Sequence, residues 1–198
     1  VEEVLSAAAT KWNFHRYTPG IGVGGHCIPI DPYYLIQKAR SAGAPVDLIT
    51  SAREVNATMP KQVAMRILRH TSAMGREPDG LRVLILGWSY KPGIADARET
   101  PAKPLATELA EQGCIVSVWD PHIHSDERLE GVYTWVDEPT SSEPDVVILC
   151  TAHEEVLNLD WLALRESSDL GFLYDGRRVL DEDNLRSLGW TIGAVGRP

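Results

Sequence analysis

The sequence contains few cysteines and carries a deficit of positive charge. Its 198 residues include 3 cysteines and 19 lysines and arginines, against 28 aspartates and glutamates, so the formal net charge is −9 at pH 7. Three cysteines cannot form a disulfide framework, and Cys114 and Cys150 lie in apolar stretches, so we expect a reduced, cytoplasmic protein. The negative charge argues against a general nucleic-acid or membrane surface, although an anionic small molecule could bind where cations cluster locally.

Several motifs are also missing. The sequence has no CxxC or HExxH pattern, so it predicts no metal site. It has no secretory signal and no apolar run long enough to span a bilayer, and we expect no membrane association. The first residue is Val1 rather than Met, inside a helix-like pattern, and we therefore expect the chain to be part of a longer protein.

Helical signals dominate residues 1–76. After a glycine-rich stretch, Asp31 and Pro32 predict the start of a helix, with Asp31 as N-cap and Pro32 at the first helical position. The apolar spacing of residues 46–72 predicts a longer helix. Pro60 lies inside this segment, so it could be two helices or one helix with a break.

A polar stretch at residues 74–80 marks a boundary, after which strand and helix signals alternate. This alternation predicts an α/β domain with a doubly wound parallel sheet, which binds ligands at the carboxyl ends of its strands. The predicted strands are residues 82–86, 115–119, 146–150, 172–174 and 191–195, and the predicted helices are residues 101–112 and 161–165.

The glycine-rich stretch at residues 20–25 leads directly to Cys27. Clustered glycines let a backbone approach a ligand closely, and a thiolate displayed there could attack carbonyl carbon. The alternative is a small apolar cysteine buried in a turn, but this setting favours a nucleophile. His26 could acidify the thiol or simply pack beside the turn, and we favour packing. Asp31 could cap its helix, orient a water or a lysine near Cys27, or do both.

Cations follow two of the predicted strands. The loop at residues 87–101 lacks the GxGxxG fingerprint of dinucleotide-binding turns. It contains instead an aromatic residue and two cations, Tyr90, Lys91 and Arg98. Such groups can stack on a base and hold phosphate oxygens, or they can form a solvated loop paired with its own acidic residues. Arg177 and Arg178 follow another strand at the same edge, and cations converging there in one crevice would suit a diphosphate.

These motifs resemble those of the UDP-glucose/GDP-mannose dehydrogenase family, and the resemblance covers essentially the whole chain. Residues 19–32 resemble the active-site cysteine segment, and their Gly-Gly-His-Cys and Ile-Pro-Ile-Asp-Pro sequences are similar to the branch that acts on UDP-N-acetylhexosamines. The segments that resemble the C-terminal UDP-binding domain are residues 86–91, 96–101, 120–121, 150–151 and 175–177.

The resemblance implies a four-electron oxidation of the sugar C6 alcohol to a carboxylate, with two NAD per turnover. Cys27 would carry a thiohemiacetal and then a thioester, and Asp31 would help to position the hydrolytic water. Arg98 would contact NAD from the C-terminal domain. The substrate-binding residues that the resemblance implies are Arg16, Tyr17, Gly20, Gly24, Tyr90, Lys91 and Arg177.

The resemblance also implies a domain organisation and partners. Residues 1–76 would form an all-helical central segment through which a homodimer assembles, and residues 77–198 a Rossmann-like UDP-binding domain. The family's NAD-binding domain does not appear in the sequence, so we expect this chain alone to be inactive. The implied setting is cytoplasmic nucleotide-sugar metabolism for polysaccharide biosynthesis. The alternatives are a free-standing nucleotide-sugar binding or dimerisation module without catalysis, and a fragment of a UDP-glucose 6-dehydrogenase.

Overall fold

The computed structural model describes residues 2–196, so Val1, where the helix-like pattern begins, lies outside the described residues. Three helices come first: α1 (Glu2–Ala8), α2 (Asp31–Ser41) and α3 (Asp47–Ala73). The strands are β1 (Arg82–Leu86), β2 (Ile115–Trp119), β3 (Thr134–Trp135), β4 (Val146–Leu149), β5 (Phe172–Asp175) and β6 (Thr191–Ala194). The other α-helices are α4 (Ala102–Glu111), α5 (Glu154–Leu157), α6 (Trp161–Glu166) and α7 (Glu182–Ser187).

The six strands form one parallel sheet in the order β3-β2-β1-β4-β5-β6. This is the strand order of doubly wound nucleotide-binding folds, and the predicted Rossmann-like parallel sheet is confirmed. The order reverses between β1 and β4, where Leu86 is paired with Leu149. A crevice at the carboxyl ends of these two strands is the place where such sheets bind ligands.

Strand side chains alternate between the two faces of the sheet, so each face supports its own core. On one face Val83 and Ile85 pack with residues of α3 and α4, including Ile67 and Leu105. On the other face Leu84 and Leu86 belong to a cluster with residues of α5, α6 and α7. The second half of α3 is therefore part of the sheet core. The division at residues 76 and 77 stays a prediction.

Helix α3 runs without interruption through Pro60, although two helices or a break were expected. Proline cannot donate the backbone hydrogen bond that position 60 would make to the carbonyl of Asn56. That carbonyl and the Pro60 ring lie where the glycine-rich loop crosses the helix, each 3.8 Å from the position of a Cβ on Gly22. Pro60 is buried in this contact, and the packing compensates for the lost bond.

The start of α2 also differs from the prediction. Ile30, not Asp31, occupies the N-cap position, and no side chain caps the helix. The Cys27 carbonyl accepts the backbone N–H groups of Ile30 and Asp31 at 3.0 and 2.8 Å, so the preceding turn satisfies donors that a cap would otherwise bind. Asp31 is instead the first residue of the helix, where its negative charge interacts favourably with the helix dipole.

Four short elements were not predicted, namely β3, α5, α7 and a 3-10 helix at Pro139–Ser142, because two to six residues carry little periodic signal. Within residues 2–196, no helix has both the length and the apolar character needed to cross a bilayer.

Candidate functional site

Cys27 is exposed, at the end of the glycine-rich loop. Its carbonyl is tied to the first turn of α2, as described above, so the residue is held by a helix although its side chain faces solvent. A thiol in this position is accessible to a small molecule. Cys114 and Cys150 are buried, and burial raises the pKa of their thiols to about 11 and about 12 respectively. Cys27 is therefore the cysteine suited to chemistry.

The cysteine loop packs directly on the loop that follows β1. The Gly25 N–H donates to the Arg98 carbonyl at 3.0 Å. A Cβ on Gly24 would lie only 2.7 Å from the Glu99 carbonyl oxygen and from the Tyr90 Cβ, and one on Gly25 would lie 2.9 Å from the Tyr90 ring. These distances leave no room for a side chain, so glycine allows the two loops to approach this closely. Gly24 and Tyr90, two expected substrate-binding residues, are thus in contact.

The guanidinium of Arg98 lies near Cys27, where the two loops meet. The Arg98 guanidinium binds the Asp96 carboxylate through two nitrogens, at 3.0 and 2.6 Å. This bond from Arg98 lowers the pKa of Asp96 to about 2. The Asp96 bond, with smaller effects of Tyr90 and Cys27, raises the pKa of Arg98. An ion pair between charged residues of this loop, one of the alternatives considered from the sequence, is thus present, and it holds Arg98 next to Cys27.

His26 also lies near this pair, where its charge contributes to the lowered pKa of Asp96. The side chain is exposed, so our expectation that it packs beside the turn is wrong. The turn is closed by backbone bonds of Cys27 and Gly25 and by the Tyr90 ring, and it needs no packing from His26.

Arg177 is positioned by the last residue of β5. The buried Asp175 carboxylate accepts four backbone N–H groups, those of residues 177–180, at 2.7 to 2.9 Å. The Arg177 side chain then turns inward, and its Nε donates to the Cys150 carbonyl at 2.5 Å. Burial lowers the pKa of Arg177. A half-buried guanidinium that bonds a neutral carbonyl is a favourable place for an anion.

Arg177 lines a cavity of about 560 Å³ between the glycine-rich loop and α3. Its Nη1 would lie 3.2 Å from a Cβ on Gly20, so these two expected substrate residues are neighbours. Neither Cys27 nor Lys91 lines this cavity. The expected convergence of Lys91 and Arg177 on a diphosphate therefore stays a prediction.

The other expected residues lie at the surface. Lys91 is exposed, and no ion pair joins it to another residue of the described chain. Tyr90 is half-buried against Gly25. Arg16 and Tyr17 are exposed in the segment before the glycine-rich loop, with Tyr17 81% accessible. Asp31 is exposed on the first turn of α2, four positions after Cys27.

The side chains of Asp120 and His153 hold the loop after β1 by hydrogen bonds, a role that the sequence analysis did not identify. Asp120 is buried directly after β2, and its Oδ2 accepts the N–H groups of Trp88 and Ser89 at 2.6 and 2.7 Å. Burial opposes its ionisation, but the hydrogen bond from His153 and backbone bonds together lower the pKa of Asp120 to about 2. The sequence signal for Asp120 is an aspartate immediately after an apolar strand, and Asp175 is similarly placed as the last residue of β5.

The turn after β1 does not fit a dinucleotide. Backbone N–H groups at this turn would normally bind pyrophosphate, but those of Trp88 and Ser89 are bound to Asp120. The Trp88 side chain is buried and packs on Tyr133, with ring centroids 4.5 Å apart. Arg98, the expected NAD contact, lies on the loop that follows this turn, and its guanidinium is paired with Asp96.

His122, His153 and Glu155 place possible metal-binding atoms within 4.8 Å of one another. His153, however, uses Nδ1 to accept from the Gly93 N–H at 3.1 Å and Nε2 to contact Asp120 at 3.1 Å. No ring nitrogen of His153 is left to bind a metal, and the other two residues supply too few ligands for a closed site. We therefore assign no metal to this cluster.

Comparison with known proteins identifies relatives for nearly the whole chain. Residues 84–182 match the UDP binding domain of the UDP-glucose/GDP-mannose dehydrogenase family, and residues 1–58 match the central domain of that family. The UDP-N-acetyl-D-glucosamine 6-dehydrogenase of Pseudomonas aeruginosa is 38% identical over 184 residues, which are 92% of this chain and 43% of that protein.

Solved structures give the same result. The UDP-D-ManNAc dehydrogenase of Pyrococcus horikoshii superposes with a TM-score of 0.83 and 28% identity, over 99% of this chain and 44% of that one. The NDP-N-acetyl-D-galactosaminuronic acid dehydrogenase of Methanosarcina mazei superposes with a TM-score of 0.88 and 25% identity, over the same shares. The chain thus spans less than half the length of these relatives.

Proposed function

The chain belongs to the UDP-glucose/GDP-mannose dehydrogenase family, and we propose that it is the C-terminal portion of an NAD-dependent UDP-N-acetylhexosamine 6-dehydrogenase. The likeness to the Pseudomonas UDP-N-acetyl-D-glucosamine 6-dehydrogenase and the Pyrococcus UDP-D-ManNAc dehydrogenase supports this substrate class. The observation that carries the proposal is the joint between the exposed Cys27 loop and the loop of Tyr90 and Arg98. This joint lies at the carboxyl end of β1, the edge at which sheets of this kind bind ligands, and it supports Cys27 as the nucleophile.

Cys27 is the nucleophile in this proposal. Its thiolate adds to the carbonyl carbon of the C6 aldehyde, forming a C–S bond as the carbonyl π electrons move to oxygen. Oxidation of this thiohemiacetal, with loss of the C6 hydrogen and the hydroxyl proton, gives a thioester. Water then attacks the acyl carbon, the C–S bond breaks, and carboxylate and free thiol are released. Asp31, exposed one helical turn from Cys27, orients that water.

NAD, when bound, accepts the hydride at each of the two oxidation stages. The backbone N–H groups of the turn after β1 donate to Asp120 and are not available to a dinucleotide. We therefore propose that most of the NAD site lies on protein outside this chain, and that Arg98 is the contact to NAD from this chain. On this basis the 198 residues alone bind the nucleotide of the substrate but oxidise nothing.

The UDP anchor is assigned to Tyr90, Lys91 and Arg177. Lys91 is an exposed cation and Arg177 a half-buried one, so both can bind phosphate oxygens, and the Tyr90 ring can contact the base. Arg16, Tyr17, Gly20 and Gly24 complete the substrate side of the site. We further propose a cytoplasmic homodimer that assembles through residues 1–76 and acts in polysaccharide biosynthesis.

Calorimetry with UDP tests the anchor on this chain. The wild-type chain should bind UDP, and Lys91→Ala should weaken binding about tenfold, the effect of losing one charge-assisted bond. Lys38→Ala, at an exposed lysine of α2, is the matched control and should bind normally. A folded wild-type chain with no affinity for UDP would refute the assigned site.

The chemistry is tested in the longer protein that includes an NAD-binding domain. Cys27→Ser should abolish carboxylate formation there, whereas Cys114→Ser should not, because that thiol is buried away from the loop. Unchanged turnover by Cys27→Ser would remove the thiol from the mechanism. No carboxylate formation by the wild-type protein, with UDP binding intact, would favour the nucleotide-sugar binding module without catalysis.

A further inference from the structure

The short loop that carries Tyr90 and Lys91 is held at both ends by buried groups. At its start, Asp120 Oδ2 accepts the N–H groups of Trp88 and Ser89. At its end, His153 Nδ1 accepts the N–H of Gly93 at 3.1 Å. Between these two anchors, Tyr90 is half-buried and Lys91 is exposed.

The two anchors are linked to each other. His153 Nε2 lies 3.1 Å from Asp120 Oδ2, and both side chains are fully buried. Because the Gly93 N–H donates to Nδ1, that nitrogen carries a lone pair and the ring proton is on Nε2, where it is donated to Asp120. One neutral imidazole thus joins the two ends of the loop. The His122 ring also packs on this imidazole, with ring centroids 4.6 Å apart, and its Nε2 faces Glu155 at 3.3 Å.

A third hydrogen bond reinforces the clamp that Asp120 and His153 form on the loop. The Thr151 hydroxyl, just after β4, donates to the Ser89 carbonyl. The loop is therefore fixed by residues that follow β2 and β4, the strands on either side of β1. Its central residues, in contrast, have no such bonds from these groups.

We propose that His153 is a positioning residue for UDP binding: through Gly93 and Asp120 it holds the loop in the conformation that presents Tyr90 and Lys91 to the nucleotide. This inference rests on the proposed function. His153 does not touch UDP in this scheme, and its contribution is to remove conformational freedom that the loop would otherwise lose on binding. Tyr90 is also held by the bond from its own N–H to the Asp96 carbonyl at 2.9 Å and by its contact with Gly25, so Lys91 is the residue through which His153 acts.

Three substitutions separate the two bonds of the imidazole. In His153→Asn, the amide oxygen replaces Nδ1 and can still accept from Gly93. In His153→Gln, the longer side chain can donate to Asp120 but cannot reach Gly93 in the same way, and His153→Phe loses both bonds. We expect UDP affinity to fall less than threefold in the Asn variant and roughly tenfold in the other two, since one hydrogen bond is worth up to about tenfold in affinity. His124→Gln, at an exposed histidine, is the control and should bind like wild type.

The double variant with Lys91→Ala distinguishes positioning from general destabilisation. If His153 acts through the loop, His153→Gln should weaken UDP binding little further once Lys91 is absent. A loss that adds in full to that of Lys91→Ala overturns the inference, and so does wild-type affinity in His153→Gln.

Hydrogen exchange at the Gly93 amide tests the clamp without any ligand. The amide should be protected in wild type and His153→Asn, and should exchange about tenfold faster in His153→Gln. Rapid exchange in the wild type overturns the inference even if the variants do not fold. If the Gly93 amide is protected but the chain binds no UDP, the proposed function is refuted, whereas the hydrogen bonds of His153 to the loop still stand.

Discussion

The backbone N–H of Gly25 donates to the carbonyl oxygen of Arg98 at 3.0 Å, and this bond joins the loop that carries Cys27 to the loop that carries Lys91 and Arg98. The cysteine loop precedes α2, whereas the cation loop follows β1 in the sheet domain. Their contact makes one surface from two distant parts of the chain. A side chain at Gly24 or Gly25 would clash with the opposite loop at this contact.

Gly24→Ala should destabilise the protein by about 1–3 kcal/mol, because its Cβ would lie 2.7 Å from both the Glu99 carbonyl oxygen and the Tyr90 Cβ. Urea unfolding followed by circular dichroism measures the change. Val23→Ala, at the exposed neighbouring residue, is the control and should stay within about 0.5 kcal/mol of wild type. Equal stability of Gly24→Ala and wild type would contradict the close contact of the loops.

Thiol labelling should distinguish Cys27 from the other two cysteines. In the native protein at neutral pH, one thiol per chain should react readily with a disulfide reagent, because Cys27 is exposed while burial raises the pKa of Cys114 and Cys150 to about 11 and about 12. Cys27→Ser should remove the rapid phase, and denaturation should expose the remaining two thiols. A rapid phase that survives Cys27→Ser would mean that the sheet core opens more readily than its packing indicates.

Local patterns were sufficient to predict much of the sheet. The bounds of β1 and β2 agree with the predicted segments, since each is a mostly apolar run of five residues closed by a glycine or an aspartate. The catalytic candidates Cys27 and Asp31 were also identifiable from their motif. What the motif could not provide is the contact of Gly24 and Gly25 with Tyr90, because that distance depends on how two separate segments pack.

The role of the buried Asp120 was beyond local reasoning for the same reason. Asp120 receives bonds from Trp88, Ser89 and His153, which lie about 30 residues away on either side. Asp31 shows the opposite error: local preference predicted an N-cap, but the Cys27 carbonyl already satisfies the helix start. The partners of Asp120 come together only in the folded chain, whereas the Cys27 carbonyl is close to Asp31 in sequence and replaces the cap because of the conformation of the turn between them.

Asp175→Asn should destabilise the protein by about 2–3 kcal/mol and weaken UDP binding. Its two oxygens accept four backbone N–H groups, and an amide would turn one acceptor into a donor facing two of them. Thermal unfolding and calorimetry with UDP measure the two effects.

Asp181→Asn is the matched control for this substitution. Asp181 caps α7 by accepting the Asn184 N–H at 3.1 Å, and asparagine caps a helix about as well as aspartate. Its unfolding temperature should remain close to that of wild type. If both variants lost stability equally, the change would reflect charge in this region and not the four bonds to Asp175.

Protonation of Asp120 should make the free energy of unfolding depend on pH in the acid range. Hydrogen bonds from His153 and the backbone lower its pKa from 3.8 to about 2 despite burial, so the folded state favours the ionised carboxylate more than the unfolded state does. This contribution is complete above about pH 4 and is lost as the pH falls towards 2, by about 1 kcal/mol between pH 5 and pH 3. The stability difference between wild type and Asp120→Asn, measured by urea unfolding, should therefore narrow by that amount over this range. A stability difference for Asp120→Asn that stays constant over this range would show that Asp120 ionises normally.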